Sequence, residues 1–151
     1  MEFKINDTIS DYFEEIKNLS SFVSKSSEFS EPCSIEKLLS WENKNKIKIP
    51  DMYKSWLLLN ESSFILGGYF ELYLPEIIHK ESDNVLIGSI VGDGEHLFFS
   101  KLSGEIFSMF EGEKQSYQGF DEFLSNILGK LEEEAENEYG ENWLDIYNEQ
   151  I

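Results

Sequence analysis

The chain has 151 residues, enough for one domain burying about 70% of its unfolded surface, and 40% apolar residues with twelve phenylalanines argue against disorder. Thirty acids against twelve lysines, with no arginine, leave a net charge of −18, so the chain repels nucleic acid, and the acidic excess has two readings: a field that attracts a basic partner, or simple solubility. No apolar run approaches the roughly 20 residues of a membrane span, no secretory signal is visible, and the single Cys33 cannot close an intrachain disulfide. These features together predict a soluble cytoplasmic protein.

Charge is unevenly spread: residues 1–50 carry −2, 51–110 carry −6 and 111–151 carry −10. Along the chain, Ile5, Ile9, Tyr12, Phe13, Ile16, Leu19 and Val23 recur at three and four residues, the pattern of an amphipathic helix. Ser24–Ser30 reads as a loop. Ser34 can cap a second helix with Ile35, Leu38 and Leu39 inward and Glu36 in the first turn. The run Asn43–Lys46 ends that helix. Pro50 suits the first turn of a third, whose buried face is Tyr53, Trp56, Leu57 and Leu59.

Gly67-Gly68 marks a turn into a strand with Phe70, Leu72 and Leu74 on one face, closed by Pro75. Val85–Val91 is apolar enough for a central strand. Gly92-Asp93-Gly94 and Leu102-Ser103-Gly104 supply hairpin turns into His96–Ser100 and Glu105–Phe110, which gives an antiparallel meander. Phe120, Phe123, Leu124, Ile127, Leu128 and Leu131 define a core-packing helix. Gly140 breaks it, and Trp143, Leu144, Ile146 and Tyr147 form a short docking segment. The expected architecture is α+β, a single domain over 1–151. A mainly antiparallel sheet with a central meander is flanked by N-terminal helices and a long C-terminal helix. Its core spans about 35–131, and 132–151 is an acidic extension.

The segments Ile49-Pro50-Asp51-Met52-Tyr53, Gly92-Asp93-Gly94, Ser103-Gly104-Glu105-Ile106 and Phe120-Asp121-Glu122-Phe123-Leu124 occur in the order seen in the SUKH superfamily. That superfamily includes fungal cell-wall regulators and bacterial immunity proteins that neutralise polymorphic toxins. The resemblance runs from about Ile35 to Leu128. It departs at Asn60-Glu61-Ser62, where the family often has Asn-Gly-Gly, and at Gly119, where a small residue such as serine is common. The acidic C-terminal extension is not part of the family pattern.

Chemistry is sparse by comparison. Asp93 and Glu95 sit beside a glycine turn, whereas paired catalytic carboxylates need a water-excluded pocket. His79 and His96 lack metal-ligand spacing, and Cys33 has no identifiable base. Gly92-Asp93-Gly94 is too short for a phosphate loop, and an EF-hand pattern is absent. No catalytic, metal or cofactor residues are therefore expected. The acids Glu132–Glu138 have two readings: the solvated side of a terminal helix, or a steering surface for a cationic partner.

The resemblance implies a non-catalytic immunity protein that occludes a cognate toxin domain, a basic nuclease among the candidates, with no direct contact to nucleic acid or membrane. A regulatory interaction scaffold of the same fold is the alternative. The expected steering set is Asp93, Glu95, Glu111, Glu113, Glu132, Glu133 and Glu136, and the expected anchors are Tyr69, Tyr73 and Tyr117.

Overall fold

A computed structural model describes residues 3–91 and 94–150. Among them one antiparallel sheet runs in chain order: β1 (Glu28–Phe29), β2 (Ser63–Ile65), β3 (Phe70–Ile77), β4 (Asn84–Ile90), β5 (Glu95–Ser100), β6 (Ile106–Phe110) and β7 (Glu113–Tyr117). The helices are α1 (Asp7–Phe22), α2 (Ile35–Asn45), α3 (Asp51–Leu59), α4 (Phe120–Tyr139) and α5 (Trp143–Gln150). The α+β meander is as the sequence predicts, with β4 at its centre.

Local chemistry sets the helix ends. The Asn6 side chain accepts from the Ile9 N–H and starts α1, while Ser34 accepts from the Lys37 N–H and starts α2. Pro50 precedes α3 as its cap rather than opening its first turn. Gly140, at φ +89°, ends α4. The serine-rich segment is ordered by its own side chains, since Ser27 Oγ accepts from the Leu66 N–H and Ser30 Oγ from the Ser62 N–H. That pinning holds the two residues of β1 against β2.

Register separates the sheet's two faces. Leu72, Gly88, Leu97, Ser108 and Gln115 form one cross-strand row, and Val85, Phe99, Ile106 and Tyr117 another. The apolar members of these rows pack with Ile9, Ile16 and Leu19 of α1, Tyr53, Trp56 and Leu57 of α3, and Phe120, Phe123, Leu124 and Ile127 of α4. On the opposite face, Glu76, Leu86, Phe98, Phe107 and Ser116 align. Leu86 and Phe107 are buried there outside the main core; Phe98 stacks on Phe107 and the Lys114 ammonium lies 4.6 Å from the Phe107 ring centroid.

Between Leu72 and Glu76 the register slips, because Leu72 faces Gly88 whereas Glu76 faces Leu86. The slip gives β3 two extra residues. Pro75 lies in this irregular stretch, where a missing N–H is tolerated, so the strand continues to Ile77 instead of closing at the proline. The Tyr53 hydroxyl enters the gap and reaches two main-chain carbonyls, those of Tyr73 and, at 3.1 Å, Ile87.

Several sequence expectations need correction. Leu39 and Leu144 are 46% and 51% exposed, because one face of each short helix is enough to dock it, through Leu38 and Tyr147 respectively. The hydrophobic core draws on both ends of the chain: Ile9, Ile16, Leu19 and Phe22 belong to it, as do Ala135 and Tyr147. Strands β1, β2 and β7 were not anticipated. No helix among the described residues is long and apolar enough to cross a membrane.

Candidate partner-binding groove

The strongly periodic α4 lays Phe120, Phe123, Leu124, Ile127 and Leu131 on the core. The residues beside that stripe, Asn126, Gly129, Lys130 and Glu133, follow the same helical spacing and border a groove of about 450 Å³. Its other wall comes from the sheet and the turn leading into it: Tyr69 just before β3, Phe70 at its start, Ile90 at the end of β4, Glu95 at the start of β5, and Gln115 and Tyr117 on β7.

Four of the ten predicted partner residues meet in this groove: Tyr69, Glu95, Tyr117 and Glu133. Tyr69 is half-buried at the rim, and the Lys130 ammonium stands 5.5 Å from its ring centroid. Lys130 also lies 3.7 Å from a Glu133 carboxylate oxygen. Tyr117 is a core ring rather than an exposed one, edge-on to Phe123 at 5.4 Å, so that little of it reaches the groove. Burial pushes its phenol above its ordinary pKa; a hydrogen bond with Ser108 offsets part of this, and the Glu95 charge adds to it.

The other predicted residues lie elsewhere. Tyr73 borders a cleft on the uncovered sheet face with Glu28, Phe64 and Glu71. Its phenol is raised by burial, then by the charges of Glu76 and Glu71. Glu111 and Glu113 are exposed at the β6–β7 turn, where φ is +50° at Glu111 and +83° at Gly112, the conformation a two-residue hairpin needs. Glu132 and Glu136 are exposed on α4 outside the groove. Asp93 lies outside the described residues.

The acidic run on α4 therefore divides. Glu138 accepts from the Ser24 N–H at 2.8 and 3.0 Å, and Glu134 pairs with Lys25 at 3.3 Å, so these two tie α4 to the end of α1. Glu132, Glu133 and Glu136 face solvent instead. Glu136 sits in the last turn of α4, which holds no basic residue and where the helix dipole disfavours anions. The Glu132/Glu136 repulsion costs a further few tenths of a kcal/mol.

Three groove features escaped sequence reasoning: Asn126, Gly129 and Lys130. The signal for Gly129 was available, because a glycine inside a periodic helix costs about 1 kcal/mol relative to alanine. A Cβ at Gly129 would meet no heavy atom within 4 Å, so internal packing does not require the glycine. Val91, whose N–H is bonded to the Tyr69 carbonyl, holds φ at +65°, a region β-branched residues avoid.

The remaining reactive groups are isolated. Cys33 is 4% exposed, and its thiol is pushed up to about 11, chiefly by burial and then by Glu61. His96 is exposed, its Nδ1 3.0 Å from the Gly94 carbonyl oxygen. No group of three or more His, Cys, Asp or Glu among the described residues is placed to hold a metal ion. The chain matches no protein-family model and no curated protein by sequence.

Proposed function

We propose that this protein is a SUKH-like immunity protein that binds a basic toxin domain and blocks it by occlusion, without catalysis of its own. The observation that carries this reading is the placement of Glu132, Glu133 and Glu136. They are exposed beside a partly aromatic groove, Glu132 and Glu136 repel each other, and Glu136, in the last turn, is set against the helix dipole. A basic partner turns both disadvantages into attraction. The resemblance between Ile35 and Leu128 supplies the functional class, and the net charge of −18 supplies the long-range field.

Such a field accelerates encounter by about 10- to 1000-fold at low salt, and aromatic side chains then provide the short-range contact. The test is co-expression with toxin domains encoded beside this chain, scoring survival and measuring association at low and high salt. Rescue with a complex whose association slows as salt rises supports the reading. Rescue without salt dependence removes the acidic steering set and keeps immunity. If the folded protein rescues no neighbouring toxin, the immunity reading fails and a regulatory scaffold takes its place.

A further inference from the structure

The groove already binds a cation, and that cation is the chain's own. Lys130 stands over the Tyr69 ring and beside the Glu133 carboxylate, its side chain still 44% exposed. Glu95 lies on the opposite wall, and the amides of Gln115 and of Asn126, the latter hydrogen-bonded with Tyr117, also line the groove. Between these groups the depth is kept open by Gly129, which the fold's internal packing does not require and helix propensity disfavours. The site thus combines a flat aromatic face, two carboxylates, two amides and unfilled space.

A guanidinium suits that set better than an ammonium. Its plane stacks on an aromatic ring while five N–H donors in a fixed fork reach several acceptors at once. The chain contains no arginine, so one would have to come from outside. We propose that the groove is a socket for an arginine side chain of the partner protein, which enters over Gly129 and takes the place of Lys130 against Tyr69. This rests on the reading of the chain as a binder of a basic protein and deepens it by naming the side chain the site selects.

Titration of the whole protein with hexa-arginine and hexa-lysine peptides, followed by calorimetry, tests the socket. The expected result is hexa-arginine binding about 10-fold tighter than hexa-lysine, of which the part lost on filling the groove belongs to the socket. Gly129→Leu fills the groove and should bring the ratio to about one while raising the melting temperature, which separates occlusion from unfolding. Lys130→Met should widen the ratio by removing the internal competitor. Equal affinities in the parent protein, or a ratio unchanged in Gly129→Leu, would overturn the socket. The peptides carry no toxin, so a failed survival assay with a preserved ratio sinks only the immunity reading. Rescue without the ratio sinks only the socket.

Discussion

The Lys54 ammonium on α3 lies 3.0 Å from the Glu42 carboxylate on α2, with side-chain exposures of only 7% and 13%. Glu42 also accepts from the Ile49 N–H at 2.8 Å, so one carboxylate fixes both a neighbouring helix and the chain entering it. Removing one member of a buried pair leaves the other charge unmatched, which costs more than the pair contributes. Lys54→Met should therefore destabilise by about 2–4 kcal/mol in urea unfolding, and Glu42→Gln added to it should recover most of the loss. A single-variant cost near zero would show that water compensates the charge.

Gly88 is required by the close approach of β3. A Cβ there would sit 2.3 Å from the Glu71 carbonyl oxygen, a main-chain atom that cannot swing aside. Gly88→Ala should cost about 2–4 kcal/mol and change the amide shifts of β3 and β4. A variant as stable as the parent would mean that the strands separate without penalty.

Val91 makes the opposite prediction. With φ at +65° and 45% exposure, it has backbone strain and little burial to offset it. Val91→Gly should raise stability by about 1 kcal/mol. Destabilisation would show that the valine side chain contributes packing worth more than the strain.

Acid should weaken the fold through three carboxylates. Glu61 is held below its ordinary value mainly by the hydrogen bond from Lys37, and Glu105 by that from Lys114. Burial pushes Glu138 up, but hydrogen bonds with Glu134 and with Ser24 bring it below its ordinary value. A depressed folded-state value gives stability that is present above the unfolded value and lost as pH falls through the folded one. Melting temperature should thus fall below about pH 4.5. At pH 7 added salt should raise it, because screening relieves the repulsion of a −18 chain. A melting temperature flat from pH 5 to pH 3 would contradict the carboxylate account.

Cys33 should ignore thiol reagents until the protein unfolds. Its 4% exposure limits access, and a thiol pushed up to about 11 is almost wholly protonated at pH 8. Disulfide-exchange labelling should track global unfolding. Fast labelling of the native protein would reveal local opening at the start of α2.

The parts of the fold legible in the sequence are those with a long apolar period or a glycine turn, namely α1, α4 and the β4–β6 meander. Strand β7 was hidden because Glu-Lys-Gln-Ser-Tyr buries only Tyr117, as suits a charged edge strand. Strands β1 and β2 are too short to show alternation, and their pairing depends on serine side chains. The groove was half-legible. Tyr69, Glu95 and Tyr117 come together only through sheet register, which no local window contains. Asn126, Gly129, Lys130 and Glu133, by contrast, share one helix face and could have been found as a stripe.

From β2 to β7 each strand pairs with its neighbour in the chain, so this part of the sheet can zip with short loop closures. The longest-range contacts among the described hydrogen bonds form the seam between α1 and α4, where the Tyr139 hydroxyl donates to the Phe22 carbonyl and Glu138 receives the Ser24 N–H. These contacts span more than a hundred residues. During synthesis the apolar stripe of α1 therefore waits, incompletely covered, until α4 has been translated. The last large helix made completes the shelter of the first.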